Sequence, residues 1–284
     1  MNFSDLRDNM YSRIYVEISN ICNKSCSFCH GTSRTGRRMS FDEFKLTLSK
    51  IRHLTNYLYF HLMGEPLCHP ELEAFIKYAK AEGFKVAVTT NGTLLSSLGD
   101  ALIESGVYKV NISVHAFEDE KEKELYLGGC LSFADKASKS GVLTVLRLWN
   151  SDGDGGKNTE TLLKIKEFFK NDEWVFGTRG ARIRNKLHLE YGERFAWPDI
   201  NASDMGEDVF CYGLSDHFGI LSDGSVVPCC LDSDGVITLG NIFDGDIDEI
   251  LSSPRAENIR RGFKNKKARE ELCRKCGYAR RFKI

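Results

Sequence analysis

The sequence lacks any apolar run approaching the roughly 20 residues of a membrane-crossing helix. Its start, Met1 to Asp8, is polar and lacks the apolar core of a secretory signal. It has no surplus of charge either: 39 Lys and Arg against 40 Asp and Glu leave a formal net charge of −1. Bulk binding to DNA or tRNA is therefore not expected, a local basic patch being the one route left open. No membrane association is expected. What the chain has in number is cysteine, ten in 284 residues. Without an export signal these read as reduced thiols in the cytoplasm, suited to metal or catalytic use. With 42% apolar residues the chain can bury a substantial core, as one large or two modest domains.

Three of the cysteines, Cys22, Cys26 and Cys29, share one short loop just after the apolar-alternating run from Arg13 to Ser19. Thiolates are the soft ligands that iron–sulfur clusters select. Three of them on one loop leave one iron of a cubane cluster open to another ligand, which argues against a role in electron transfer alone. His30 is adjacent to Cys29 and poorly placed to reach the far iron. Structural zinc, which prefers four ligands, and a disulfide pair are the alternatives.

The pattern Cys-x3-Cys-x-Phe-Cys after a first strand resembles the signature of the radical S-adenosylmethionine (SAM) enzymes. In that family the open iron chelates the amino and carboxylate groups of SAM. One electron then cleaves SAM to methionine and a 5′-deoxyadenosyl radical, and the aromatic before the last cysteine, here Phe28, lies near the adenine. A Gly-Glu-Pro motif after the second strand holds the SAM amino group. Gly64-Glu65-Pro66 follows the strand Asn56–Leu62 in the same way, with Met63 where the family often has glycine. A bare turn at a strand end is the alternative for these residues.

Between these motifs, Gly31 to Ser40 is basic, with Arg34, Arg37 and Arg38: a solvated loop, or a flap that touches an anion. Ser40 with Glu43 reads as a capping box opening a helix. Further on, helices are expected near 71–82, 97–105, 118–139 (interrupted at Gly128-Gly129) and 158–170. Strands are expected over 85–90, 108–115, 143–149 and 181–190, with an acidic glycine loop over 151–156. Alternating strands and helices argue for parallel βα units. Six strands are too few for a closed eight-stranded barrel. They suit the open, partial (β/α)6 TIM-like barrel that the resemblance implies, so the fold class is α/β.

In βα barrels the chemistry sits at the C-terminal strand ends. Thr90 and Asn91, Ser113 and His115, Arg147 and Trp149 all fall there, with the cysteine loop and Gly64-Glu65-Pro66. The cofactor contacts that the resemblance implies are Phe28, Gly64, Glu65, Pro66, Thr90, Asn91, Ser113 (toward the ribose) and Arg147 (toward the SAM carboxylate or the substrate). For Ser113 and Arg147 the alternative is an ordinary polar residue at a strand end. His115 and Arg147 are the catalytic candidates, His115 as a general base or a structural histidine. Trp149, Asn185, His188, Glu190 and Tyr191 are candidates for a substrate pocket, the segment 185–197 being otherwise an interdomain linker.

Beyond residue 205 the pattern changes. Two short strands meet at Asp223-Gly224, a hairpin signal, and a helix is expected over 247–263. Cys211, Cys229, Cys273 and Cys276 make a full ligand set for a second cubane cluster. Cys230 competes with Cys229, and four-thiolate zinc is the alternative. The spacing resembles the SPASM and twitch extensions of radical SAM enzymes. No cysteine follows Cys276, as in the shorter twitch form. The expected domains are thus 1–204, the barrel, and 205–284, the twitch domain. Cys68 and Cys130 fit neither set and read as buried thiols.

The implied cofactors are two 4Fe–4S clusters and SAM, with an electron donor such as flavodoxin or ferredoxin. Three functions compete: an enzyme acting on a small molecule, a peptide-modifying maturase, and a non-catalytic iron–sulfur module. A maturase usually carries an appended peptide-binding domain, and the residues before Arg13 and after Cys276 are too few for one. Among small-molecule enzymes the chain resembles the twitch dehydrogenase of an amino-cyclitol-like alcohol. It also resembles the queuine lyase group, which releases 7-aminomethyl-7-deazaguanine. The compact length, the His61–Pro66 run and the twitch tail favour the lyase, although no residue reads out a deazaguanine.

Overall fold

The computed structural model describes residues 11–115, 123–149 and 157–282. The elements in chain order are β1 (Arg13–Val16), α1 (Phe41–Ile51), β2 (Tyr57–Phe60), α2 (Leu72–Ala81), β3 (Lys85–Thr90), α3 (Leu95–Glu104), β4 (Lys109–Ile112), α4 (Lys123–Lys139), β5 (Leu143–Trp149) and α5 (Lys157–Phe168). There follow β6 (Val175–Gly177), β7 (Gly180–Arg184), β8 (Leu187–Gly192), β9 (His217–Ile220), β10 (Ser225–Val227), β11 (Gly240–Asn241), α6 (Ile247–Leu251), α7 (Pro254–Lys264) and α8 (Glu271–Arg274). The described residues fall into two compact units, one within 11–23, 30–64 and 195–282, the other within 24–29, 65–115, 123–149 and 157–194.

In the first unit β1 lies between β2 and β9 and is parallel to both, while β10 and β11 continue antiparallel from β9. The alternation in β1 and β2 buries Ile14, Val16, Leu58 and Phe60 completely. Each such side chain contributes roughly 1.5–3 kcal/mol when buried. Helix α1 opens on the expected capping box, with Glu43 N–H donating to Ser40 Oγ and Ser40 N–H donating to the Glu43 carboxylate. The β9–β10 hairpin turns at Asp223-Gly224 as expected, with Gly224 at φ +87°.

In the second unit β3, β4, β5 and β8 run parallel in that order, and β7 and β6 continue antiparallel beyond β8. The βα repeat expected of the α/β class is present in both units. Three local expectations need correction. The run 181–190 is two strands, because Lys186 takes a left-handed φ of +63° and reverses the chain. Helix α4 continues through Gly128-Gly129: a Cβ on Gly129 would stand 2.2 Å from Ser96 Oγ, so that glycine serves the close approach of α3. The stretch 247–263 breaks into α6 and α7 because Ser253 caps a new helix with Pro254 in its first turn. The 151–156 loop and the start expected for the fourth helix lie outside the described residues. No described helix is long and apolar enough to cross a membrane.

Candidate functional site

Cys22 and Cys29 are exposed and Cys26 is half-buried. Cys29 N–H donates to the Cys26 carbonyl at 3.0 Å, closing a tight turn between the last two cysteines. Among the described residues no three His, Cys, Asp or Glu side chains are gathered as a single-ion site. The fit to a cluster therefore rests on the donor set, three accessible thiols on one loop of eight residues.

The Gly-Glu-Pro segment is tightly built. Leu62 has φ +128°, which a β-branched or bulky residue takes only under strain. Gly64 has φ +78°, and a Cβ there would sit 2.3 Å from the Ser19 carbonyl oxygen. Only glycine fits against the backbone leading into Cys22. Glu65 is buried, with Oε2 accepting from Asn91 N–H at 2.6 Å and Oε1 from Leu67 N–H at 3.1 Å. Burial pushes its carboxyl up to about 6, against hydrogen bonds that pull the other way. Glu65 thus braces the following turn, where Pro66 opens a short 3-10 helix, onto the end of β3.

Thr90 and Asn91 are equally engaged. Thr90 is buried, with Oγ1 accepting from Gly92 N–H at 3.0 Å, while Asn91 Oδ1 accepts from Thr93 N–H and Oγ1. Ser113, just past β4, donates its N–H to the Thr90 carbonyl at 2.9 Å. Gly92 has φ +83°, and a Cβ there would meet Cys130 Sγ at 2.6 Å. One residue that the sequence reading passed over closes this set. Tyr126 Oη lies 2.8 Å from the Asn91 carbonyl oxygen and 3.1 Å from that of Ser113.

The ends of β5 and β8 carry a second cluster. His115 Nδ1 is 2.9 Å from the Arg147 carbonyl oxygen and 3.3 Å from the Trp149 backbone N–H, donating to the first in one tautomer and accepting from the second in the other. Burial pulls His115 down to about 4, so it is neutral near pH 7. Its ring lies nearly parallel to Trp149, at 7° with centroids 6.5 Å apart, and 5.2 Å from Phe28. Arg147 stands over Trp149 at 4.9 Å, and its Nε is 3.3 Å from Glu190 Oε2, without hydrogen-bond alignment. Trp149 Nε1 is buried and has no hydrogen-bond partner.

The strand register sorts the remaining candidates. Arg147 pairs with Glu190 and Val145 with His188, so His188 shares their face, one step toward the start of β8. Tyr191 pairs with Leu148 and so falls on the opposite face. Asn185 is exposed in the turn before β8, at the other end of the strand from Glu190. The structure brings Arg147, Trp149, His115 and Glu190 together; Asn185 and Tyr191 are not among them.

The second cysteine set lies within the first unit. Cys229 feels Cys230, Cys211, Cys273 and Cys276, and burial together with these neighbours pushes its thiol well up. Cys211 is pushed up to about 11 by burial. These thiols act on one another electrostatically, and the fit to a second cubane cluster rests on that donor set. Cys230 packs against Leu62, Leu221 and Val227 and pairs with the buried Tyr15 hydroxyl. The two unplaced thiols differ: Cys130 is buried and pushed up to about 12, whereas Cys68 is only half-buried.

Neither sequence reading of the basic loop after Cys29 describes what its arginines do. Arg34 forks onto the fully buried Glu17 carboxylate at 2.6 and 2.8 Å, and its Nε donates to the Ser233 carbonyl. Glu17 also accepts from Ser222 N–H and Oγ–H and from Met63 N–H. Arg37 bonds to Glu43 and the Ser222 carbonyl, and Thr32 donates to Asp234 at 2.5 Å. The loop is clasped onto residues 185–202 positions away in sequence, rather than held out toward an anion.

Comparison with known proteins places these features in a wider set. A family model described as the radical SAM superfamily matches residues 16–176, and one described as an iron–sulfur cluster-binding (SPASM) domain matches 211–277. The probable GTP 3′,8-cyclase of Sulfurisphaera tokodaii is 35% identical over 277 residues, covering 81% of this chain and 85% of that one. A probable GTP 3′,8-cyclase of Methanococcus maripaludis is 30% identical over 267 residues, covering 80% and 87%. Among solved structures, BtrN in complex with AdoMet and 2-DOIA aligns with TM-score 0.58 and 19% identity, covering 95% of this chain and 94% of that one. Streptococcus suis SuiB bound to S-adenosylmethionine aligns with TM-score 0.61 and 17% identity, covering 90% and 70%. These likenesses show the shared fold.

Proposed function

Since the chain belongs to the radical SAM superfamily, we propose that it is a queuine lyase. On this reading Cys22, Cys26 and Cys29 hold the 4Fe–4S cluster that binds SAM, and Cys211, Cys229, Cys273 and Cys276 hold an auxiliary 4Fe–4S cluster. Bound there, SAM and its reduced cluster would supply hydrogen abstraction from an unactivated carbon, with 7-aminomethyl-7-deazaguanine as the expected product. Residues 1–204 bind SAM and substrate, and 205–284 carry the auxiliary cluster. Cys229 is the proposed ligand, since Cys230 pairs instead with Tyr15. The electron comes from a donor such as flavodoxin or ferredoxin, in the cytoplasm.

The array of His115, Arg147, Trp149 and Glu190 carries the substrate reading. It offers what a flat, guanine-like heterocycle needs: parallel aromatic surface and a carboxylate for adjacent N–H donors. Glu190 is 40% exposed and reachable by a ligand. Neutral His115 ties the ends of β4 and β5 together through Nδ1 and leaves Nε2 for a ligand. The relatives named for GTP support the same class, since guanine and the deazaguanine of queuine present the same donor edge. The test is anaerobic incubation with SAM, reductant and queuine, read by mass spectrometry. Formation of 7-aminomethyl-7-deazaguanine is expected. Untouched queuine beside turnover of GTP, an amino-cyclitol or a peptide would refute the lyase reading and leave the superfamily assignment standing.

A further inference from the structure

Tyr126 lies on α4, away from every motif in the sequence, yet it sits where several candidate SAM contacts meet. Its Oη is within hydrogen-bond distance of the carbonyl oxygens of Asn91, after β3, and Ser113, after β4. Asn91 N–H is in turn held by Glu65 Oε2 at 2.6 Å, and Ser113 N–H by the Thr90 carbonyl at 2.9 Å. The tyrosine therefore completes a chain of bonds that runs from the Gly-Glu-Pro segment through two successive strand ends. Its side chain is half-buried, and desolvation raises its hydroxyl well above the ordinary range, with the neighbouring Cys130 adding to the rise. The hydroxyl thus stays protonated and acts as a donor. Gly92 and Cys130 close the space around the ring: a Cβ on Gly92 would stand 3.3 Å from Tyr126 Cε2 and 2.6 Å from Cys130 Sγ.

We infer that Tyr126 is a positioning residue for SAM, which fixes the Asn91 and Ser113 strand ends at the spacing the bound cofactor requires. A hydroxyl pinning two carbonyls costs little at the moment of binding, because the loops are already ordered. Without it the two loops retain their sequence and side chains and lose their fixed separation, so that SAM binding must order them. The inference rests on the radical SAM reading and on these strand ends facing SAM.

The test is Tyr126→Phe, which removes one oxygen and keeps the ring. Titration of SAM into anaerobically reconstituted protein should give a dissociation constant about ten-fold weaker, a loss of about 1.4 kcal/mol. Iron content should match the parent, and KM for SAM should rise about as much while kcat at saturation falls far less. Hydrogen exchange at the amides of residues 91–93 and 113–114 should speed up several-fold. Cys130→Ala, which removes the thiol that also bonds the hydroxyl and leaves its contacts with both carbonyls, should bind SAM within about two-fold of the parent. Parental affinity in Tyr126→Phe, whatever its melting temperature, overturns the inference alone. A parent protein that binds no SAM overturns both the inference and the reading beneath it.

Discussion

Arg34→Ala tests the most deeply buried ion pair described. The Glu17 side chain is 0% exposed and that of Arg34 14%, with two N–H···O contacts at 2.6 and 2.8 Å. Removing the arginine strands a buried carboxylate, a change that typically costs about 3–5 kcal/mol. Ser222 and Met63 still donate to that carboxylate, which puts the cost near the lower bound, about 3 kcal/mol. In a chain of this length that lowers the melting temperature by roughly 5 °C. Arg38→Ala is the control: Arg38 is exposed, and its loss should stay within about 0.5 kcal/mol. Arg34→Lys keeps the charge and loses the fork, so it should fall between the two. Differential scanning calorimetry of the three variants decides the matter. An Arg34→Ala melting temperature equal to that of Arg38→Ala would refute the clasp.

Two buried groups should tilt stability with pH in opposite directions. Glu65, raised to about 6, holds a proton that the unfolded chain has released, so it lowers stability as pH rises through roughly 4.5–6, by up to about 2 kcal/mol. His115, lowered to about 4, refuses a proton that the unfolded chain takes up, so it lowers stability as pH falls from roughly 6.5 to 4, by up to about 3 kcal/mol. Glu65→Gln and His115→Gln should each remove one slope in denaturant unfolding followed across pH 4–8, and unchanged slopes would contradict the assignment. Gly92→Ala must place a Cβ 2.6 Å from Cys130 Sγ at φ +83°, so a loss of about 2–4 kcal/mol in urea unfolding is expected. Anaerobic reconstitution should give roughly eight irons per chain, falling to roughly four in Cys211→Ala. About four irons with stoichiometric zinc in the parent would remove the auxiliary cluster.

The candidate site motifs are legible in the sequence because they are local. Three cysteines on one loop, a Gly-Glu-Pro after a strand and a hairpin glycine before Cys229 can be seen without knowing what lies across the fold. What stayed hidden depends on distant partners. Arg34 looked like a solvated cation because Glu17, Ser222 and Ser233 are far apart in sequence. Gly128-Gly129 looked like a helix break because the reason for Gly129, contact with Ser96, lies on another helix. The 181–190 run looked continuous because nothing in Asn185-Lys186 announces a left-handed residue. Asn185, His188, Glu190 and Tyr191 were grouped by proximity in sequence, whereas a strand separates them by face and by end. Tyr126 carried no motif, and only the position of its hydroxyl between two carbonyls gives it a role.

Cys26→Ala puts the central assignment to the most direct test. Parent and variant are reconstituted anaerobically, reduced, and supplied with SAM, and 5′-deoxyadenosine is quantified by liquid chromatography. With Cys26 as one of three thiolates holding the SAM-binding cluster, the variant should release none above the protein-free background, while Cys68→Ala should match the parent. Release of 5′-deoxyadenosine by Cys26→Ala at the parental rate would contradict the assignment of this loop to SAM cleavage.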